Sequence, residues 1–180
     1  MIKPLFSLLA ACLMTAACSA GAQDDPLNPR SASPAPLIPE FRGITHWINS
    51  GPQTLEQLRG QVVLVEFWTY DCIKCLRTLP HVQQWHERYR DQGLVVIGVH
   101  TPKHPHEQVT ANLDEAVDRL GITYPVAQDN GYRTWNAFCN REWPALYLID
   151  QGGRIVYQHF GEGAYAETET KIRQLLQVTP

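Results

Sequence analysis

Two patterns of hydrophobic residues alternate along the chain from about residue 62. Val62–Trp68 is almost continuously apolar, which is typical of a central strand covered on both faces, and Glu66 is its one charged residue. From about Cys72 to Arg90, apolar residues recur at intervals of three and four, which predicts an amphipathic helix with a kink at Pro80. Leu94–Val99 is again continuously apolar and predicts a second buried strand. The order is therefore strand, helix, strand.

The remainder of the pattern predicts a helix, a short extended segment, a short helix, a hairpin and a last helix. In chain order these elements cover about 107–120, 124–126, 132–138, 145–149 with 155–160, and 166–178. Asp-Gln-Gly-Gly at 150–153 is the turn signal that joins the two hairpin strands. The whole set predicts an α/β fold in which a central mixed β-sheet has helices on both faces.

The first forty residues differ from the rest. Lys3, an apolar run to about Ala17 and a stretch of small residues follow one another in the order of a secretory signal. The apolar run is shorter than the roughly twenty residues that a membrane-spanning helix needs. We expect a signal peptide at 1–22, a flexible Pro-, Ser- and Ala-rich tether at 23–40, and a folded domain at 41–180.

Two maturation sites are compatible with this signal. Cleavage after Ala22 fits the small-residue rule, whereas the residues that precede Cys18 resemble a bacterial lipobox, in which that cysteine is acylated. Both routes place the protein in the periplasm or elsewhere outside the cytoplasm. Lipidation at Cys18 would in addition anchor it to a bacterial membrane.

Composition excludes several classes of protein. With 180 residues, 44% hydrophobic and 18% charged, the chain has the composition of an ordinary globular domain. A formal net charge of −3 provides no basic field for nucleic acid. Five cysteines cannot all pair within one chain, so their roles must differ. Cys139 is either a third redox thiol or a buried small apolar residue, and the frequent burial of free cysteine favours the second interpretation.

The most informative motif is a Cys-x-x-Cys at the junction of the first predicted strand and helix. Backbone N–H groups and the dipole at a helix N-terminus favour the anionic form of the first thiol, which predicts that Cys72 is an exposed nucleophile. Cys75 lies almost one turn further along the helix, where it can reach Cys72 and is shielded from large partners. We therefore expect Cys75 to be the resolving thiol.

Several motifs together resemble the thioredoxin superfamily. Val-Leu-Val-Glu-Phe-Trp before the Cys-x-x-Cys resembles the central strand of that family, Pro80 its helix-kinking proline, and Trp143-Pro144 its cis-proline loop. The resemblance covers about residues 41–176. Two features are most similar to the extracytoplasmic TlpA-like group, and within it to the thioredoxin-like domain of DipZ-type proteins. They are the motif Phe-Trp-Thr-Tyr-x-Cys-Ile-x-Cys and the segment 121–130.

The resemblance implies roles for four further residues. Glu66 stands where thioredoxins carry a buried acid, and a buried carboxyl with a raised pKa could accept the proton of Cys75, although a strand glutamate paired with Lys or Arg is the simpler alternative. A cis Pro144 would present the backbone of Trp143 to a substrate strand. Trp68 could shield the disulfide or simply belong to the core.

The function that these features imply is disulfide exchange with protein thiols or disulfides outside the cytoplasm, by a monomer without cofactor or metal. The TlpA-like resemblance favours a reductase that a membrane electron donor recharges. The residues between the two cysteines match neither the most reducing nor the most oxidising members of this fold closely enough to show whether partners are reduced or oxidised.

Three other functions are weaker interpretations of the same residues. Structural zinc fails on spacing, because the His-x₃-His pair at His100 and His104 follows the cysteines too far along the chain. A copper carrier would use Cys-x₃-Cys rather than Cys-x-x-Cys. A thiol peroxidase would fit Thr69-x-x-Cys72, but Val65 occupies the position where that pattern requires proline. Lys103, His104 and His106 are expected to form a solvated polar loop.

Overall fold

The computed structural model describes residues 40–178. Within them, the strands are β1 (His46–Ile48), β2 (Val62–Trp68), β3 (Leu94–His100), β4 (Val126–Gln128), β5 (Ala145–Ile149) and β6 (Ile155–Phe160). The helices are α1 (Ile73–Tyr89), α2 (Thr110–Arg119), α3 (Arg133–Ala137) and α4 (Tyr165–Leu176). Short 3-10 turns cover Arg90–Gln92 and Pro105–Gln108.

The predicted signal peptide, Cys18 and almost all of the tether lie outside the described residues. The division of the chain into signal, tether and domain therefore stays a prediction. Across residues 40–178, none of the helices has both the length and the apolar character that a bilayer crossing demands.

The six strands form one mixed sheet in the order β1-β4-β3-β2-β5-β6. Strands β2, β3 and β4 run parallel, and β1, β5 and β6 pair antiparallel to their neighbours. Strand β2 lies between β3 and β5, and all seven of its residues are buried. Its nearly continuous apolar sequence is explained by this central position, since both of its faces are covered.

Two apolar cores lie on the two faces of the sheet. Because side chains alternate along a strand, Val62, Leu64, Glu66 and Trp68 share one face of β2, where α1, α2 and α4 contribute apolar side chains. The other face packs against α3 and the segment 41–58 through an aromatic cluster. Its rings belong to Phe67, Trp135, Phe138 and Tyr147.

The predicted order of elements agrees with the structure from β2 onward. Helix α1 continues through Pro80, and the hairpin turn closes through the Gly153 N–H donating to the Asp150 carbonyl at 2.9 Å. Two predicted elements differ in position. The helix expected from Glu107 begins three residues later and is preceded by a 3-10 turn, and the short extended segment expected at 124–126 forms β4 two residues further on. Strand β1 is an element that the pattern did not predict, since three residues are too few to show a period.

The parallel pairing of β2 and β3 brings two loops together at one edge of the sheet. Trp68 and His100 are register partners at the carboxyl ends of the two strands, and the Thr101 N–H donates to the Trp68 carbonyl at 3.1 Å. The chain that leads from β2 into α1 therefore lies beside the loop that follows β3.

Gly98 provides a test of how tightly this core is packed. A Cβ at this position would lie 3.0 Å from Trp68 Nε1 and 3.1 Å from Tyr124 Cε2. We expect Gly98→Ala to lower the free energy of unfolding by about 1–3 kcal/mol, because two buried rings would have to move. Urea denaturation measures this change.

Gly51→Ala is the matched control, because an added Cβ there has no neighbour within 4 Å. Equal stability of the two variants would show that the rings around Gly98 rearrange without cost.

Candidate active site

The two cysteines of the Cys-x-x-Cys lie at the N-terminus of α1. Cys72 is the N-cap residue, with φ −91° and ψ 107°, and its Sγ accepts a hydrogen bond from the Cys75 N–H at 3.4 Å. Both side chains are free thiols. The structure therefore shows the reduced pair, with the Cys75 N–H directed at the Cys72 sulfur at the N-terminus of the helix.

The two thiols differ in access. Cys72 is 6% exposed and lines a groove of about 460 Å³, whereas Cys75 is 1% exposed and does not line it. The expectation of an exposed Cys72 is thus corrected, because the side chains around the groove cover most of it. The predicted order of access still holds, with Cys72 in front and Cys75 behind.

Burial also separates the two thiols chemically. Burial raises the pKa of the Cys75 thiol, its hydrogen bond with Cys72 raises it further, and the nearby carboxyl of Glu66 acts in the same direction. At neutral pH Cys75 is therefore a protonated thiol. It needs a proton acceptor before it can attack another sulfur.

Glu66 lies close to Cys75 and is completely buried. Its Oε2 accepts a hydrogen bond from the Tyr124 hydroxyl at 3.0 Å, and among the described residues its Oε1 has no hydrogen-bond partner. Burial raises the pKa of this carboxyl from 4.5 to about 7, although the Tyr124 bond lowers it slightly. Across residues 40–178 no Lys or Arg forms an ion pair with Glu66, so the simpler interpretation of a paired strand glutamate does not hold there.

Trp143 forms one wall of the groove beside Cys72. The peptide bond to Pro144 is cis, as the resemblance implied. The indole Nε1 donates to the Thr101 carbonyl at 3.0 Å, and the ring packs against Trp135 with centroids 4.0 Å apart. Trp143 is therefore held between the loop after β3 and the aromatic core.

The other two predicted partner-binding residues are buried. Pro144 is buried, and Trp68 is only 1% exposed. Trp68 belongs to the same core cluster as the two cysteines and packs edge-on against His100 with ring centroids 5.4 Å apart. Its position fits a shield beneath the thiols better than a contact with a partner.

The sequence did not indicate the role of Glu107. This carboxyl is fully buried in the 3-10 turn at 105–108. Its oxygens accept hydrogen bonds from the backbone N–H groups of Lys103 at 2.6 Å, His104 at 2.8 Å and Asp71 at 3.4 Å, and from the Thr69 hydroxyl. One buried carboxyl thus ties the chain that precedes Cys72 to the loop after β3. An acid three residues after the N-cap residue, here His104, is the local signal that could have suggested it.

A second contact joins the same two loops at the surface. The Nε2 of His106 lies 2.5 Å from Asp71 Oδ2, and the Tyr70 hydroxyl donates to the His106 carbonyl at 3.1 Å. Lys103 and His104 line the Cys72 groove. Lys103, His104 and His106 are exposed, as expected of a solvated polar loop, and the loop in addition forms one side of the site.

Two residues considered for other chemistry lie elsewhere. His100 is buried and stacks on Tyr70 with centroids 5.4 Å apart, and burial lowers its pKa to about 3, so it is neutral. Residues 40–178 contain no group of three His, Cys, Asp or Glu side chains that could hold a metal ion. Cys139 is exposed at a positive φ of 49°, so the interpretation of this residue as a buried core cysteine is wrong.

Comparisons with known proteins point to one family. Residues 37–158 match the model of the AhpC/TSA family. The protein DipZ of Mycobacterium bovis is 51% identical over 141 residues, which are 77% of this chain and 20% of DipZ. The thiol-disulfide oxidoreductase YkuV of Bacillus subtilis is 30% identical over 143 residues, 79% of this chain and 95% of YkuV. The solution structure of a thioredoxin-like protein in the oxidized form superimposes with a TM-score of 0.72 at 28% identity, covering 81% of this chain and 98% of that one.

These similarities confirm the predicted thioredoxin-like fold and the relationship to thiol-disulfide oxidoreductases, with DipZ among the relatives. The chain spans about a fifth of the length of DipZ.

The Glu66 carboxyl makes stability depend on pH. The unfolded chain loses this proton near pH 4.5, whereas the folded chain keeps it until about pH 7. The free energy of unfolding therefore falls between these values as pH rises, by up to about 3 kcal/mol from this group. We expect Glu66→Gln to remove that part of the fall in urea titrations of the reduced protein. Glu115→Gln, at an exposed site on α2, serves as the control, and parallel curves for wild type and Glu66→Gln would contradict the assignment.

The hydrogen bonds of the Glu107 carboxyl lead to a second prediction. Glu107→Ala removes both acceptor oxygens, so the backbone N–H groups of Lys103 and His104 lose their partner. We expect a loss of about 1–3 kcal/mol in unfolding free energy and faster hydrogen exchange at the amides of Lys103 and His104. Unchanged exchange at those two amides would show that the loop is held by other contacts.

Proposed function

The chain belongs to the AhpC/TSA family of thioredoxin-like proteins, and we propose that it exchanges disulfides with protein partners through Cys72 and Cys75. The observation that carries the proposal is the asymmetry of the pair. One free thiol at a helix N-terminus lines a groove, and a second lies buried behind it within hydrogen-bond distance. Such a pair can attack a partner and then resolve the adduct.

The first step is attack by the Cys72 thiolate on a partner disulfide. A bond forms between Cys72 Sγ and one partner sulfur, the partner disulfide breaks, and the other partner sulfur leaves as a thiolate. The N-cap position supports this role because the Cys75 N–H points at the attacking sulfur. A groove rather than a deep pocket suits a polypeptide substrate.

The second step resolves the mixed disulfide. Cys75 gives up its proton and attacks Cys72 Sγ, so that a disulfide forms within the chain and the partner leaves with its second thiol. Glu66 is the proton acceptor that we assign to this step. Its pKa of about 7 allows the carboxylate to form at neutral pH while the carboxyl remains a useful acid in the reverse direction.

Trp143 is the residue that we assign to partner binding. Trp143 lines the groove just before β5. An extended partner segment that pairs with the backbone of Trp143 would bring its own sulfur towards Cys72 without its sequence being read.

The direction that we propose is reduction of partners. Strong oxidants of this fold owe their potential to a stabilised reduced form. Here burial and the Glu66 carboxyl disfavour an anionic sulfur at Cys75, so Cys75 adds no such stabilisation to the reduced form. A membrane electron donor would recharge the pair. The location outside the cytoplasm rests on the order of basic, apolar and small residues at the N-terminus of the sequence.

Peroxide reduction is less well supported. Val65 lies within β2, and the hydroxyl of Thr69 donates to Glu107. The Thr-x-x-Cys pattern is therefore present in the sequence, but its threonine serves a different contact. Disulfide exchange remains the function that the site fits.

A trapping experiment tests the proposal. Cys75→Ser should leave Cys72 able to attack and unable to be released, so that partners accumulate as adducts sensitive to dithiothreitol. Cys72→Ser is the matched control and should trap at least tenfold less, because the buried thiol cannot reach a large partner. Adducts are counted by non-reducing electrophoresis after incubation with a denatured, disulfide-containing protein such as insulin.

Two results would contradict the proposal. One is the absence of adducts together with no reduction of insulin by the wild type. The other is turnover of hydrogen peroxide that depends on Cys72 and exceeds the rate of disulfide exchange.

A further inference from the structure

The groove beside Cys72 carries a local positive charge in a chain whose formal net charge is −3. Apart from His104, five charged residues line the groove. Three are cations, Lys74, Lys103 and Arg141, and two are acids, Asp71 and Glu142.

Both acids are already engaged. Asp71 Oδ2 lies 2.5 Å from His106 Nε2, and Glu142 Oε1 lies 3.9 Å from Lys74 Nζ. Over residues 40–178, no carboxylate lies within ion-pairing distance of Lys103 or Arg141. Lys103 and Arg141 are therefore the two charged side chains of the groove that remain available to a partner.

Aromatic rings support the two cations at defined places. Lys103 Nζ lies 4.7 Å from the ring centroid of Trp143, and Arg141 Cζ lies 4.2 Å from that of Phe160. Contacts of this kind restrain a long side chain and leave its charge available. Lys103 is thereby held next to the residue whose backbone we assign to the partner.

We propose that the groove selects polypeptide partners whose reactive cysteine is flanked by aspartate or glutamate. The inference deepens the proposed function, on which it rests, by naming the class of substrate. A carboxylate next to the partner's cysteine would meet Lys103 or Arg141 as its sulfur approaches Cys72. The opposite charge would be repelled, so the same residues favour acidic partners and disfavour basic ones.

The test compares peptides that differ only beside the cysteine. Three synthetic peptides of equal length, each with one internal disulfide, carry Asp, Ser or Lys next to the attacked cysteine. Reduced wild-type protein is mixed with each, and the second-order rate constant for formation of the Cys72–Cys75 disulfide is measured. We expect the Asp peptide to react about tenfold faster than the Lys peptide at low ionic strength, because two partly exposed cations contribute. High salt should reduce the ratio towards about two.

Variants assign the preference to the two cations. Lys103→Gln combined with Arg141→Gln should bring the Asp-to-Lys ratio close to one, whereas Lys103→Arg should keep it. Lys171→Gln on α4 removes a cation distant in the chain and should leave the ratio as in the wild type.

Three outcomes would overturn the inference. An Asp-to-Lys ratio of rate constants near one for the wild type at low salt would show that the groove does not distinguish acidic from basic partners. The proposed disulfide exchange would be unaffected by that result. An unchanged Asp-to-Lys ratio in the double variant would show that residues other than Lys103 and Arg141 cause the preference. Absence of exchange with all three peptides removes the proposed function, and the inference with it.

Discussion

The burial of β2 on both faces is the constraint on which the rest of the structure depends. Strands β3 and β5 flank it, and the two apolar cores cover its faces, so that all seven of its residues are buried. One of them is the acid Glu66, and the strand leads directly into the turn that carries Cys72. A chain that needed only a strand here would place an apolar residue at position 66, because burying a carboxyl costs free energy. We infer that this cost is retained for the chemistry of the neighbouring thiols.

The same burial separates the roles of the two cysteines. A low-polarity environment raises the pKa of both Glu66 and Cys75, so each can hold a proton at neutral pH and pass it to the other. Cys72, in contrast, lines the groove, and the Cys75 N–H at the N-terminus of the helix points at its sulfur. The buried carboxyl of Glu107 then fixes the chain on one side of Cys72, and Trp143 defines the wall on the other. The site is thus built from three separate segments around one sulfur.

The sequence allowed prediction of those parts that depend on local pattern. The continuous apolar run of β2, the three- and four-residue intervals of α1 and the turn before β6 each carry a period or a turn signal. Contacts between distant residues carry none. The Thr69–Glu107 hydrogen bond joins residues 38 apart in the chain, and Lys103 meets Trp143 only because β3 and β5 flank β2. The burial of Cys72 and the exposure of Cys139 depend in the same way on the packing of neighbouring loops, which is why both differed from expectation.

The reduction potential of the Cys72–Cys75 pair tests the central claim most directly. The protein would be equilibrated at pH 7 in dithiothreitol or glutathione buffers of known potential. The oxidised fraction would then be read by mass spectrometry of the alkylated peptide that contains both cysteines. A pair that reduces its partners should fall near the reducing end for this fold, about −270 mV. A value near −120 mV, typical of a strong oxidant, would contradict the proposed direction, because a pair with that potential oxidises its partners.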